Sequence, residues 1–202
     1  NAKYLVVIDA MTPRRMATAG RSPAAARLDD RRWKTLVETV HEVAGIAGEY
    51  GLSAVFHPHV GTYVEFDDEI DRLLGDTDSQ LVQLCIDTGH SAYAGVDPVA
   101  LYRRYEGRTR YFHFKDVDER VLEHATRDRL GFEAAVAEGI FCPLGRGCVD
   151  FPALRSEIER AGFRGWATVE QDIDPAGGVD PLAAARTSLA YLRQVGLAEE
   201  GP

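Results

Sequence analysis

Apolar residues in this chain fall into short unbroken runs, separated by longer stretches in which they recur every three or four positions. The runs are Tyr4 to Ile8, Leu52 to Phe56, Leu81 to Ile86, Tyr111 to Phe114 and Trp166 to Val169. Runs this short and apolar on both faces predict buried strands of a parallel sheet. The stretches between them predict helices. After Asp29 or Asp30, either of which can cap, Trp33, Leu36, Val37, Val40, Val43, Ala44 and Ala47 form one apolar helical face, which Gly51 ends. Asp67 to Leu74 predicts a short acidic helix, and Asp97-Pro98 starts another with proline at its favoured first position. Phe151 to Ala161 and Pro181 to Val195 predict two more. Residues 11–30 hold Pro13, Gly20, Pro23 and several arginines without a period, which predicts a long loop. Residues 118–140 are charged and predict partial helix.

Strands alternating with helices imply a parallel α/β domain, closed as a (β/α)8 barrel or open as a doubly wound sheet. At 202 residues, 45% hydrophobic and 27% charged, without a linker or low-complexity segment, residues 1–202 read as a single domain. A full barrel typically takes about 250 residues, so a barrel here would lack two or three units. The chain also opens at Asn1 and enters its first apolar run at once, with no leader before it. Both observations lead to the expectation that N-terminal units are missing.

A net charge of -9 disfavours nucleic acid as a partner. No apolar run approaches the roughly 20 residues of a membrane helix, and no secretory signal is visible. Cys85, Cys142 and Cys148 cannot all pair and lack zinc-type spacing, which suits a reducing, cytoplasmic setting.

The chemistry-bearing residues gather at strand ends. Of six histidines, His57, His59, His90 and His113 lie at or just beyond the ends of predicted strands, as do Asp87 and Glu170. The C-terminal ends of parallel strands carry the active site in such folds. One histidine there usually packs or caps; six ligand-type residues at successive strand ends predict a mixed nitrogen and oxygen site for a divalent metal.

The segments His57-Pro58-His59-Val60-Gly61-Thr62, Cys85-Ile86-Asp87-Thr88-Gly89-His90, His113-Phe114-Lys115-Asp116 and Val169-Glu170-Gln171-Asp172 resemble the xylose-isomerase-like TIM-barrel superfamily. Within it they are most similar to inosose dehydratases, which act on 2-keto-myo-inositol. The Gly-rich segment 139–151, with Gly145-Arg146-Gly147 at its centre, resembles the segment before the family's last strand. The resemblance runs from Asn1 to about Leu197 and implies that the chain is the C-terminal portion, about units 4 to 8, of a barrel.

The family usually holds its metal by Glu, Asp, His and Glu from four successive strands. Asp87, His113 and Glu170 match the last three places. Where many members have the first Glu, this chain has His57 and His59, as inosose dehydratases do; strand length favours His57, and His59 shares its face. The resemblance implies Mn²⁺ or Co²⁺ first, with Zn²⁺, Fe²⁺ or Mg²⁺ as alternatives. It further implies a lyase that dehydrates a polyhydroxylated cyclic ketone through a metal-stabilised enediolate. Lys115, His59, His90 and Glu65 are the candidates for proton transfer. Lys115 lies two residues beyond His113, so it should enter the same pocket with its pKa lowered by burial and the cation, unless it merely pairs with Asp116 or a barrel carboxylate. Glu65 is a base or a solvated helix-start carboxylate, and Arg146 is a lid residue for an anionic group or a surface arginine. The alternatives are a sugar isomerase or epimerase, a non-catalytic metal-binding barrel and a metal nuclease; net acidity counts against the last. A small polyol or ketose is the expected partner, with a homo-oligomer or a missing N-terminal segment covering the sheet edges.

Overall fold

The computed structural model describes residues 2–198; Asn1, on which part of the expectation about missing units rests, lies outside them. Five strands, β1 (Tyr4–Val7), β2 (Ser53–Phe56), β3 (Val82–Asp87), β4 (Thr109–Phe114) and β7 (Trp166–Val169), form one parallel sheet in the order β1-β2-β3-β4-β7. The order never reverses along the chain, so the sheet has no switch point. It winds one way, as a barrel does, and among the described residues it is an arc with β1 and β7 as its two edges.

Helices α2 (Asp30–Glu49), α3 (Asp67–Asp76), α5 (Pro98–Tyr105), α8 (Phe151–Arg160) and α9 (Pro181–Gln194) occupy the connections. Asp29, not Asp30, caps α2, its carboxylate accepting from the Arg32 N–H at 2.8 Å. Trp33, Val40, Ala44 and Ala47 are buried on the anticipated face, and Gly51 stops the chain at φ +71°. The core of Phe56, Leu84, Ile86, Phe112 and Phe114 lies between sheet and helices. No described helix is long and apolar enough to cross a membrane.

The structure corrects the sequence reading in four places. Strands β1 and β7 were expected to be buried, yet Val6 is 37% exposed and Trp166 64%, because each strand has a neighbour on one side only. The stretch 11–30 is not a plain loop: Thr12 caps a short helix α1 (Pro13–Met16), with proline at its first turn, and a 3-10 turn follows at Ser22–Ala24. The segment after Asp87 turns at once into helix α4 (Thr88–Tyr93), capped by Asp87 itself through the His90 N–H. The stretch 118–140 is partly helical as expected, with α6 (Glu119–Arg127) and α7 (Phe132–Ala137).

The fourth correction is the Gly-rich segment, which is held down rather than free to act as a lid. A two-stranded antiparallel ribbon pairs β5 (Asp116–Val117) with β6 (Phe141–Cys142). Asp116, wholly buried, accepts four backbone N–H groups. Val117 and Val149 donate to Oδ1 at 2.9 and 3.0 Å, and Gly145 and Gly147 donate to Oδ2 at 2.9 and 3.0 Å. A Cβ at Gly147 would stand 2.3 Å from Asp116 Oδ1, so only glycine lets the backbone come this close.

Candidate metal centre

The parallel register sets the site. Asp87, the last residue of β3, is the direct partner of His113 near the end of β4, and His113 is the partner of Thr168 on β7, two residues before Glu170. His57 follows Phe56 at the end of β2. Four neighbouring strands thus deliver four ligand-type side chains to one end of the sheet. One donor atom from each of His57, Asp87, His113 and Glu170 lies within 4.8 Å of all the others. His113 Nδ1 is 3.3 Å from Glu170 Oε2 and 3.6 Å from Asp87 Oδ2, and His57 Nε2 is 3.9 Å from Asp87 Oδ2.

These residues fit a divalent cation. Asp87 Oδ2 and His113 Nδ1 are buried, 3.6 Å apart, and have no hydrogen-bond partner. Buried polar atoms are nearly always paired, so two such atoms facing each other mark a place for a ligand. Burial drives the His57 pKa down to about 3 against the pull of Asp87, leaving a neutral imidazole with a free lone pair. Burial works the other way on Asp87, but Lys115, His90, His113 and His57 outweigh it and hold the carboxyl well below its usual range. Two imidazoles and two carboxylates are a donor set for Zn²⁺, Mn²⁺, Co²⁺ or Fe²⁺.

A pH dependence follows. Burial also lowers His59 and His90. Between an unfolded value of 6.5 and the folded value of about 3, the unfolded chain holds a proton that folded His57 does not. Stability therefore falls as pH drops below 6.5, by about 1.4 kcal/mol per unit for each such group. In chelator, the urea midpoint should be clearly lower at pH 5 than at pH 7. His57→Gln should flatten that slope; equal midpoints for wild type at the two pH values would contradict the assignment.

The proposed proton-transfer residues separate into two groups. Lys115 is fully buried, with Nζ 3.0 Å from His90 Nε2, 3.1 Å from Asp172 Oδ2, and 3.4 Å from both Asp87 Oδ2 and Glu170 Oε2. It faces the pocket, and Asp116 points away from it into the Gly-rich segment. Its pKa was expected to fall through burial and a bound cation; burial does lower it, but before any cation binds, Asp87, Asp172 and Glu170 together raise it above the ordinary lysine value. His59 stacks on His90 with ring centroids 3.6 Å apart, and its Nδ1 donates to the Val60 carbonyl at 2.7 Å, leaving Nε2 as an acceptor. Phe132 and Phe141 wall this pair, with Phe141 5.2 Å from the His90 ring. His59 therefore groups with His57 and His90 rather than with the carboxylates.

Glu65 is a correction. Its carboxylate is buried and committed elsewhere, paired with Arg15 at 3.2 Å and accepting from the Gly20 and Gly61 N–H groups at 2.7 and 3.0 Å. It ties α1 to the loop after β2 and has no free oxygen for proton transfer. Arg146 is exposed on the Gly-rich segment. Asp172 has a place in the site that spacing alone did not assign; the signal was its position two residues beyond Glu170.

The family described as xylose isomerase-like TIM barrel matches residues 2–195. The inosose dehydratase of Geobacillus kaustophilus (strain HTA426) is 44% identical over 166 residues, which cover 82% of this chain and 54% of that protein. The rhizopine catabolism protein MocC of Rhizobium meliloti is 38% identical over 185 residues, covering 92% of this chain and 56% of that protein. The chain spans about half the length of these curated relatives. Among solved structures, an IOLI protein with a binding zinc atom matches with a TM-score of 0.68 at 17% identity, over 96% of this chain and 62% of that one. Identity at that level speaks to the fold alone.

Proposed function

Because the chain belongs to the xylose isomerase-like TIM-barrel family, we propose that it carries the metal-bearing part of a lyase that removes water from a neutral polyhydroxylated cyclic ketone, as inosose dehydratases do. On this reading its five parallel strands are units 4 to 8 of the barrel. Charge balance at the pocket carries the proposal. Asp87, Glu170 and Asp172 face a single ammonium, Lys115. Three carboxylates against one ammonium leave two negative charges, which one divalent ion cancels. The filled pocket is then neutral, and the cation that a phosphate group would call for is already engaged by carboxylates. A neutral ketone such as an inosose fits better than a sugar phosphate.

His57, Asp87, His113 and Glu170 would hold the ion, which would act as a Lewis acid on the ketone oxygen and a neighbouring hydroxyl. The remaining work belongs to the side chains. His59 Nε2, kept unprotonated by the Nδ1–H bond to Val60, suits removal of the α-proton. The Lys115 ammonium, held by Asp172 and by His90 Nε2, suits proton donation to the departing β-hydroxyl. The phenyl rings of Phe132 and Phe141 keep water from one side of this pair.

The test is product analysis of the metal-loaded protein with 2-keto-myo-inositol and, separately, with a ketose. The expected result is a product one water lighter from the inosose and no change in the ketose. Isomerised or epimerised ketose, with the inosose untouched, would replace the lyase reading with an isomerase.

A further inference from the structure

Lys115 and the metal compete for the same oxygens. Its Nζ stands 3.4 Å from Asp87 Oδ2 and 3.4 Å from Glu170 Oε2, the same two oxygens that approach His113 Nδ1. Inside so small a space an ammonium and a divalent cation repel strongly. When the ion takes those oxygens, Lys115 must rely on its other contacts, His90 Nε2 at 3.0 Å and Asp172 Oδ2 at 3.1 Å. His90 is buried, and its Nε2 accepts from the Lys115 ammonium without supplying counter-charge. Among the described residues, Asp172 is the only carboxylate touching Lys115 that does not belong to the four-residue cluster. It reaches the ammonium from the open side, its own side chain 41% exposed while Lys115 is 1% exposed.

We propose that Asp172 is a positioning residue that draws the Lys115 ammonium off Asp87 and Glu170, and so sets the affinity of the four-residue cluster for its metal. The inference rests on the metal site proposed above. Asp172 acts through Lys115: with it, the ammonium has an anion to settle on once the ion arrives. Without it, displacing Lys115 leaves a buried cation with no counter-charge, which is costly, and the ion must pay that cost on entry. Residues behind metal ligands commonly change affinity by about 10–100-fold.

The experiment is a thermodynamic cycle with Zn²⁺ alone, its affinity measured by competition against a chromophoric chelator. Four full chains are compared: wild type, Asp172→Asn, Lys115→Met and the double variant. Asp172→Asn should bind Zn²⁺ about 10-fold more weakly than wild type, and the same substitution should change little in the Lys115→Met background. Melting in chelator shows whether each chain is folded. Equal affinity in wild type and Asp172→Asn would overturn the proposal. So would an equal loss in both backgrounds, which would make Asp172 a distant charge acting on the ion directly. A wild type that binds no Zn²⁺ would instead remove the metal site itself, and the proposal with it.

Discussion

Asp87→Asn should leave a folded protein that has lost its metal. The substitution keeps a carbonyl oxygen where Oδ1 accepts the His90 N–H at 2.8 Å, so helix α4 keeps its cap. It removes the charge from Oδ2, the atom that stands within 4 Å of His57, His113 and Lys115 and has no hydrogen bond of its own. Affinity for a divalent ion should fall by more than about 100-fold, since even residues behind the ligands change it by 10–100-fold. Lys115 retains Asp172 and Glu170 as partners, so the fold should survive the lost charge. Metal analysis after dialysis, beside a circular-dichroism spectrum, checks both halves. Full occupancy in Asp87→Asn would place the ion elsewhere.

Lys115→Met is the second large effect. Methionine matches the length and bulk of a side chain that is fully enclosed and lies over the Phe141 ring, but it carries no proton. If the ammonium gives its proton to the leaving hydroxyl, turnover of the inosose should fall by roughly 10²–10⁴-fold. Metal stoichiometry should stay at the wild-type level. Loss of metal together with activity would make Lys115 part of the scaffold. Unchanged turnover would remove it from the chemistry and leave His59 and His90.

What was legible in the sequence was the part fixed by local pattern. Apolar runs gave the five strands, and once strands are parallel their C-terminal ends are forced together. Asp87, His113 and Glu170 could therefore be grouped although 83 residues separate the first from the last. The choice between His57 and His59 was legible only in part, since strand length favoured His57 without excluding His59. They share a face in an extended chain, but β2 ends at Phe56 and the turn that follows gives His59 Nδ1 to the Val60 carbonyl. Glu65 was misread for a different reason. Its partner Arg15 lies 50 positions earlier, in a stretch with no period, and nothing local reveals such a pairing. How many carboxylates face Lys115 was not legible, because Asp172 and Glu170 arrive just beyond β7, which neighbours β4 in the sheet but comes much later in the chain. The composition of β1 and β7 does not say whether both their edges are paired; exposed edges could be expected only from the shortage of barrel units.

The backbone knot around Asp116 bears on how the Gly-rich segment can change over time. One carboxylate grips the N–H groups of Gly145, Gly147 and Val149, so the segment's path is written in main-chain atoms and in two glycines. Arg146 and Cys148 alternate with those gripped positions and project to solvent. Neither side chain is needed to hold the shape. Substitutions at these two positions can therefore change the surface chemistry of the segment while the rail that carries them stays put. The segment is a fixed mount with exchangeable fittings, free to vary without first loosening the fold.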